Sequence, residues 1–151
     1  MTAEHNDIHT LIEIAHYEAH ADRKESKEFR RIKEEFHKEG AKCYIDNRCE
    51  GDIEIHHNII EFAASESIDW EKVQKDYPEF KNVDSFKGNM LPLCTKHHRM
   101  PGYGIHDITY PIWKLQKYMN EEALNDFENA VDEELKKRKI KREGTNPSQP
   151  V

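Results

Sequence analysis

Apolar residues recur at helical spacing near both ends of the chain and alternate only near its middle. Ile8, Leu11, Ile12 and Ala15, then Phe29, Ile32 and Phe36, predict helix over residues 5–38. A break near "HADRKES" divides it in two, with Asp22 and Glu25 placed to form a capping box. Gly40 stands where a helix is closed by a glycine. "CYIDNRCEGDIEIHH" predicts a hairpin: a short strand, a turn rich in Asp, Asn and Gly, and a strand with Ile53 and Ile55 on one face. "SIDWEKVQKDYPEF" predicts a short helix between Ser67 and Tyr77, stopped by Pro78. "NMLPLCTKHHRM" opens a further loop-and-helix unit, and "RMPGYGIH" reads as a loop.

Helical spacing returns over residues 111–142. Pro111 suits a first helical position, and Asn120 suits the cap of a second helix. Ile112, Leu115 and Met119 mark one stripe, and Leu124, Phe127, Val131 and Leu135 another. The second stripe has two candidate partners, the N-terminal helices or a second copy of the chain, and the first is the more economical. The tail "GTNPSQPV" is expected to be disordered. The expected division is therefore N-terminal helices over 1–40, a core over 41–110, C-terminal helices packed on it over 111–142, and a disordered tail over 143–151.

With 151 residues, 35% charged and 36% apolar, the chain suits one domain with a modest core. No apolar run approaches a membrane span, and "MTAEHNDIHT" lacks a signal peptide's apolar centre, so an intracellular, cytoplasmic location is expected. There a reducing environment disfavours disulfides, and the odd count of three cysteines fits metal ligation better. A net charge of −7 opposes nucleic-acid binding. Yet Lys136, Lys137, Arg138, Lys139, Lys141 and Arg142 concentrate basic charge in one run. Two readings of the run stay open: a solvated helix end, where cations suit the dipole, or an arm that contacts phosphates.

Cys43 and Cys49 flank the turn of the expected hairpin, and Cys94 and His97 are separated by two residues. Two short pairs of soft donors are what a tetrahedral structural zinc needs, and Cys₃His is an ordinary zinc set. The alternative is that the thiols are small buried hydrophobes. His56 and His57 are adjacent on a strand, so they point to opposite faces and cannot duplicate one role. His98 is likewise turned from His97, and His106 follows eight residues on.

In the order "C…C…IEIHHNI…GNMLPLCTKHH…IH" the chain resembles the HNH endonucleases in their zinc-containing ββα-metal form, over roughly residues 27–110. The lead-in "FRRIKEEFHKEGAKC" is similar to the helix that precedes the first cysteine in such enzymes. The resemblance implies an α+β, mainly helical fold, with a ββα-metal core flanked by helices. It implies His56 as a ligand of a catalytic divalent ion and His57 as the general base. Asn89 matches the asparagine that fixes the loop orienting the base. His98 matches a further ligand of the catalytic ion, and His106 is the candidate to complete that site. The implied cofactors are a structural Zn²⁺ and a catalytic Mg²⁺, Mn²⁺ or Ni²⁺, with DNA as the substrate. Compared with the family's pattern, the interval from His57 to Asn89 is long and the step to His106 runs through glycines and a proline.

Three functions are weighed on these residues. The first is a metal-dependent DNA endonuclease. The second is a non-cleaving HNH-like zinc scaffold that binds a protein partner, as a regulator or an antagonist of a defence system; the acidic surface favours it. The third is a zinc structural module with incidental histidines. The small size with helical flanks is compatible with a phage or mobile-element product.

Overall fold

The computed structural model describes residues 1–143, with side chains through Lys139. Of the tail expected to be disordered over 143–151, Glu143 ends a helix and residues 144–151 lie outside the described residues. The fold is α+β, several helices around one two-stranded antiparallel sheet. Its elements are α1 (Lys27–Lys38), β1 (Ile53–His57), a 3-10 turn (Phe62–Ser67), α2 (Trp70–Asp76), a 3-10 turn (Lys87–Asn89), β2 (Met90–Cys94), α3 (Thr95–Arg99), α4 (Tyr110–Tyr118) and α5 (Glu121–Glu143). Among the described residues no helix is long and apolar enough to cross a membrane.

Helix α1 begins at Ser26, whose hydroxyl accepts from the Phe29 N–H at 2.9 Å. This replaces the expected capping box at Asp22 and Glu25. The helix ends in a Schellman closure: Ala41 N–H donates to Phe36 O, Gly40 N–H donates to His37 O, and Gly40 takes φ +66°. Its inner stripe, Phe29 and Ile32 with Phe36 beside them, packs with Ile55 and Met90 from the sheet.

The expected helix before it does not form. Residues 1–26 carry no helix or strand, and Ile8, Leu11, Ile12 and Ile14 are all exposed. Helical spacing is present, but no element offers an apolar face to cover it. A helix of that length without tertiary contacts is marginal in water.

The sheet also differs from expectation. The strand Ile53–His57 pairs antiparallel with Met90–Cys94, with His57 opposite Met90 and Ile53 opposite Cys94. The residues around Cys43 are not its hairpin partner; they form a turn-rich loop. Asp46 ties that loop by accepting from the Arg48 N–H at 2.9 Å, and Gly51 takes φ +94°. One hydrogen bond, Tyr44 N–H to Pro92 O, lays the loop against the outer edge of β2. The "MLPLC" stretch, read as part of a loop-and-helix unit, is therefore the second strand, and α3 follows it directly.

Three local readings match the structure. Helix α2 is capped by Asp69 and stops at Tyr77 before Pro78. Pro111 lies in the first turn of α4. Asn120 caps α5 by accepting from Ala123 N–H at 2.8 Å. The stripe on α5 finds a partner within the chain. It leans on the turn after α3: Val131 and Leu135 close over Gly102, Phe127 meets the Tyr103 ring, and the Tyr103 hydroxyl donates to Asp132 at 2.7 Å.

Candidate metal centres and the histidine pair

Cys94 ends β2 and caps α3, so its Sγ faces the first turn of that helix and accepts from the His97 N–H. The Cys43–Cys49 loop brings two more thiols to the same point. The donor atoms of Cys43, Cys49, Cys94 and His97 all lie within 4.8 Å of one another. His97 Nδ1 stands 3.7, 3.5 and 3.2 Å from the sulfurs of Cys43, Cys49 and Cys94. Sulfur and imidazole nitrogen on one tetrahedral ion of zinc's size would be separated by about 3.5 Å. The quartet can therefore hold a metal ion with little movement. Buried Trp113 supports it, donating from its indole N–H to His97 O at 2.7 Å. Burial raises the Cys49 thiol to about 12, with the neighbouring Cys43 sulfur adding to the shift. For Cys43 burial acts in the same direction, but hydrogen bonds from His97 and backbone N–H groups outweigh it and bring that thiol down to about 6. Crowded sulfurs of this kind are relieved by a dication.

A second group forms on the other side of α3. His56, His98 and His106 present nitrogens within 4.8 Å of one another, and their rings lie 4.7–5.2 Å apart. The loop that separates His106 from α3 folds back on the helix: Ile105 N–H donates to His97 O and His106 N–H to His98 O. Gly104 makes this possible, because a Cβ there would lie 2.6 Å from the Arg99 backbone. Gly104→Ala is accordingly expected to cost about 1–3 kcal/mol in denaturant unfolding, as overpacked sites do. Isothermal titration of the purified variant should also show weaker divalent-ion binding at the histidine group.

His98 donates from Nδ1–H to Glu54 at 2.9 Å, which leaves its Nε2 lone pair inward. His106 Nε2 meets that nitrogen at 3.1 Å, while its Nδ1 side faces Glu61 at 3.6 Å. Two imidazole nitrogens on one ion stand about 3.0–3.4 Å apart, so this group also fits an ion. Carboxylates behind ligating histidines fix the tautomer and raise ligand basicity. Burial, reinforced by the neighbouring imidazoles, holds His56 down at about 3, and burial with His98 lowers His106. Both are neutral at pH 7, as ligation requires.

Strand alternation sends His57 to the opposite face, beneath α1, where its ring lies 5.4 Å from Phe29. Its Nε2 meets Asp84 Oδ1 at 2.8 Å and its Nδ1 meets Arg23 Nη1 at 2.8 Å. A carboxylate only accepts and a guanidinium only donates, so these contacts agree on one neutral form with the proton on Nε2. Burial and the Arg23 charge outweigh the hydrogen bond to Asp84 and hold His57 below its ordinary value. Asn89 is fully buried and binds the loop that follows His57. Its Oδ1 accepts from Ile59 and Ile60 N–H, and its Nδ2 donates to Ile60 O and Val83 O.

The basic run lies on the last part of α5. There Lys137 pairs with Glu133 at 3.8 Å and Arg138 with Glu134 at 3.4 Å, one helical turn back. Lys136 and Lys139 share this segment, and the side chains of Lys141 and Arg142 lie outside the described residues. Sequence reasoning missed Asp84, Arg23, Glu54 and Glu61. Only Glu54 carried a signal, two residues before His56 and hence on its face of the strand. Comparison of the chain with protein-family models, curated proteins and solved structures finds no match.

Proposed function

We propose that the chain is a metal-dependent HNH DNA endonuclease, with β1, β2 and α3 as its ββα-metal core. One observation carries this reading: the doublet His56–His57 is split between a convergent trio of imidazoles and a buried, carboxylate-held imidazole. The first arrangement suits a cation, and the second suits proton transfer. Cys43, Cys49, Cys94 and His97 hold a structural Zn²⁺ in this reading, and His56, His98 and His106 hold the catalytic Mg²⁺, Mn²⁺ or Ni²⁺. That catalytic ion, when bound, supplies positive charge for the phosphate oxygens and the departing 3′ oxygen. His57 takes the proton of the attacking water through Nδ1, the nitrogen that its hydrogen bonds leave basic, once the exposed Arg23 guanidinium has moved aside. Asn89 keeps the loop after His57 in place. Lys136, Lys137, Arg138 and Lys139 are offered as phosphate contacts on α5.

Plasmid cleavage by the purified protein with Mg²⁺, Mn²⁺ or Ni²⁺, beside an EDTA control, tests the proposal. Metal-dependent nicking or linearisation is the expected result. A folded, zinc-loaded protein that cuts nothing under any of these ions sinks it. The second reading, a non-cleaving scaffold for a protein partner, is favoured by the net charge of −7 and by the acidic pairing of Lys137 and Arg138. That null result would favour it.

A further inference from the structure

The long interval between His57 and Asn89 delivers one buried carboxylate to the base. Asp84 is 8% exposed, at the end of a segment consolidated by the packed rings of Trp70, Tyr77, Phe80 and Phe86. It is held from several sides. Its Oδ2 accepts from Ser26 Oγ at 2.8 Å, and its N–H donates to Asn82 Oδ1 at 3.0 Å. Asn89 fixes the preceding carbonyl, that of Val83. Of the two groups on His57, Arg23 belongs to an exposed segment without secondary structure, whereas Asp84 is buried and anchored.

We propose that Asp84 is the positioning residue of His57: it holds the proton on Nε2, aims Nδ1 outward, and stabilises the imidazolium that forms when Nδ1 is protonated. The catalytic part of this inference rests on the nuclease reading. In the step itself a water O–H bond breaks and its proton passes to His57 Nδ1. The water oxygen bonds to phosphorus as the P–O3′ bond breaks, the 3′ oxygen takes a proton from solvent, and His57 later returns its proton to solvent. Asp84 exchanges no proton in this sequence.

Long-range ¹H–¹⁵N NMR of histidine-labelled full-length protein reads the tautomer without any cleavage. Wild type is expected to show His57 protonated at Nε2 and bare at Nδ1. Asp84→Ala should mix the two tautomers. Asp84→Asn is the isosteric variant that keeps the fold, and its carboxamide can donate as well as accept, so it should mix them too. Both variants should lose about 10²- to 10⁴-fold in kcat on plasmid DNA with KM unchanged. Nδ1 protonated in wild type, or a tautomer indifferent to both substitutions, would overturn the assignment. Mixed tautomers with wild-type kcat would overturn its catalytic part. A wild-type protein that cuts nothing overturns the nuclease reading, and the tautomer shift alone then decides whether Asp84 controls His57.

Discussion

Replacing His57 by glutamine is expected to reduce phosphodiester cleavage by roughly 10²- to 10⁴-fold, the usual contribution of a general base. Glutamine is the better choice than alanine. His57 is 7% exposed and occupies one oxygen of buried Asp84 at 2.8 Å. Alanine would leave that oxygen unpaired at a cost of about 1–3 kcal/mol, so lost activity would mix with lost stability. A glutamine amide can donate to Asp84 and accept from Arg23, yet it has no basic nitrogen to take a proton. The measurement is plasmid cleavage over time in Mn²⁺, with zinc content and the thermal melt taken on the same sample. Equal rates for wild type and variant, with zinc intact, would remove His57 from the mechanism.

Cys94→Ala is expected to unfold the centre of the molecule. Structural zinc contributes about 10–16 kcal/mol of apparent binding energy in small sites, comparable with the whole stability of a domain at about 5–15 kcal/mol. Here the sulfur does more than offer a ligand. Cys94 caps α3, ends β2 and lies in one cluster with Cys43, Ile45, Leu93 and Trp113. Elemental analysis should find no stoichiometric zinc in the variant. Circular dichroism should find no cooperative melt like that of wild type, and a strong chelator should reproduce the defect in wild type. One zinc per chain and an unchanged melt in the variant would show that the thiols are only small buried hydrophobes.

The sequence was legible where the controlling interaction is local. The Asn120 cap, the Gly40 closure and the stop before Pro78 depend on neighbours within a few residues. The convergence of donor residues was legible because donor chemistry is scarce and distinctive: the four residues proposed for zinc come together, and so do the three histidines proposed for the second ion. Strand pairing was not legible. The hairpin read into residues 43–57 rested on a turn signal, but the strand pairs with Met90–Cys94, and Ile55 and Met90 then share the face under α1. Long-range register is set by which faces can be buried together, and no local pattern records it. The Ile8 to Ala15 spacing failed for the converse reason, since periodicity describes a stripe but supplies nothing to cover it. Asp84 was hidden because a lone acid in a polar segment gives no sign of the imidazole it will meet.

Helix α3 is only five residues long, and His97 and His98 are consecutive in it. One turns to the sulfurs and the other to the imidazoles. The offset between the two groups is therefore set by a single peptide link, whose Cα-to-Cα span of about 3.8 Å does not stretch. Packing between separate elements can relax when a side chain changes size, but a covalent span cannot. Any tilt of α3 that improves one cluster is charged to the other, so the two behave as a single mechanical part with one shared tolerance.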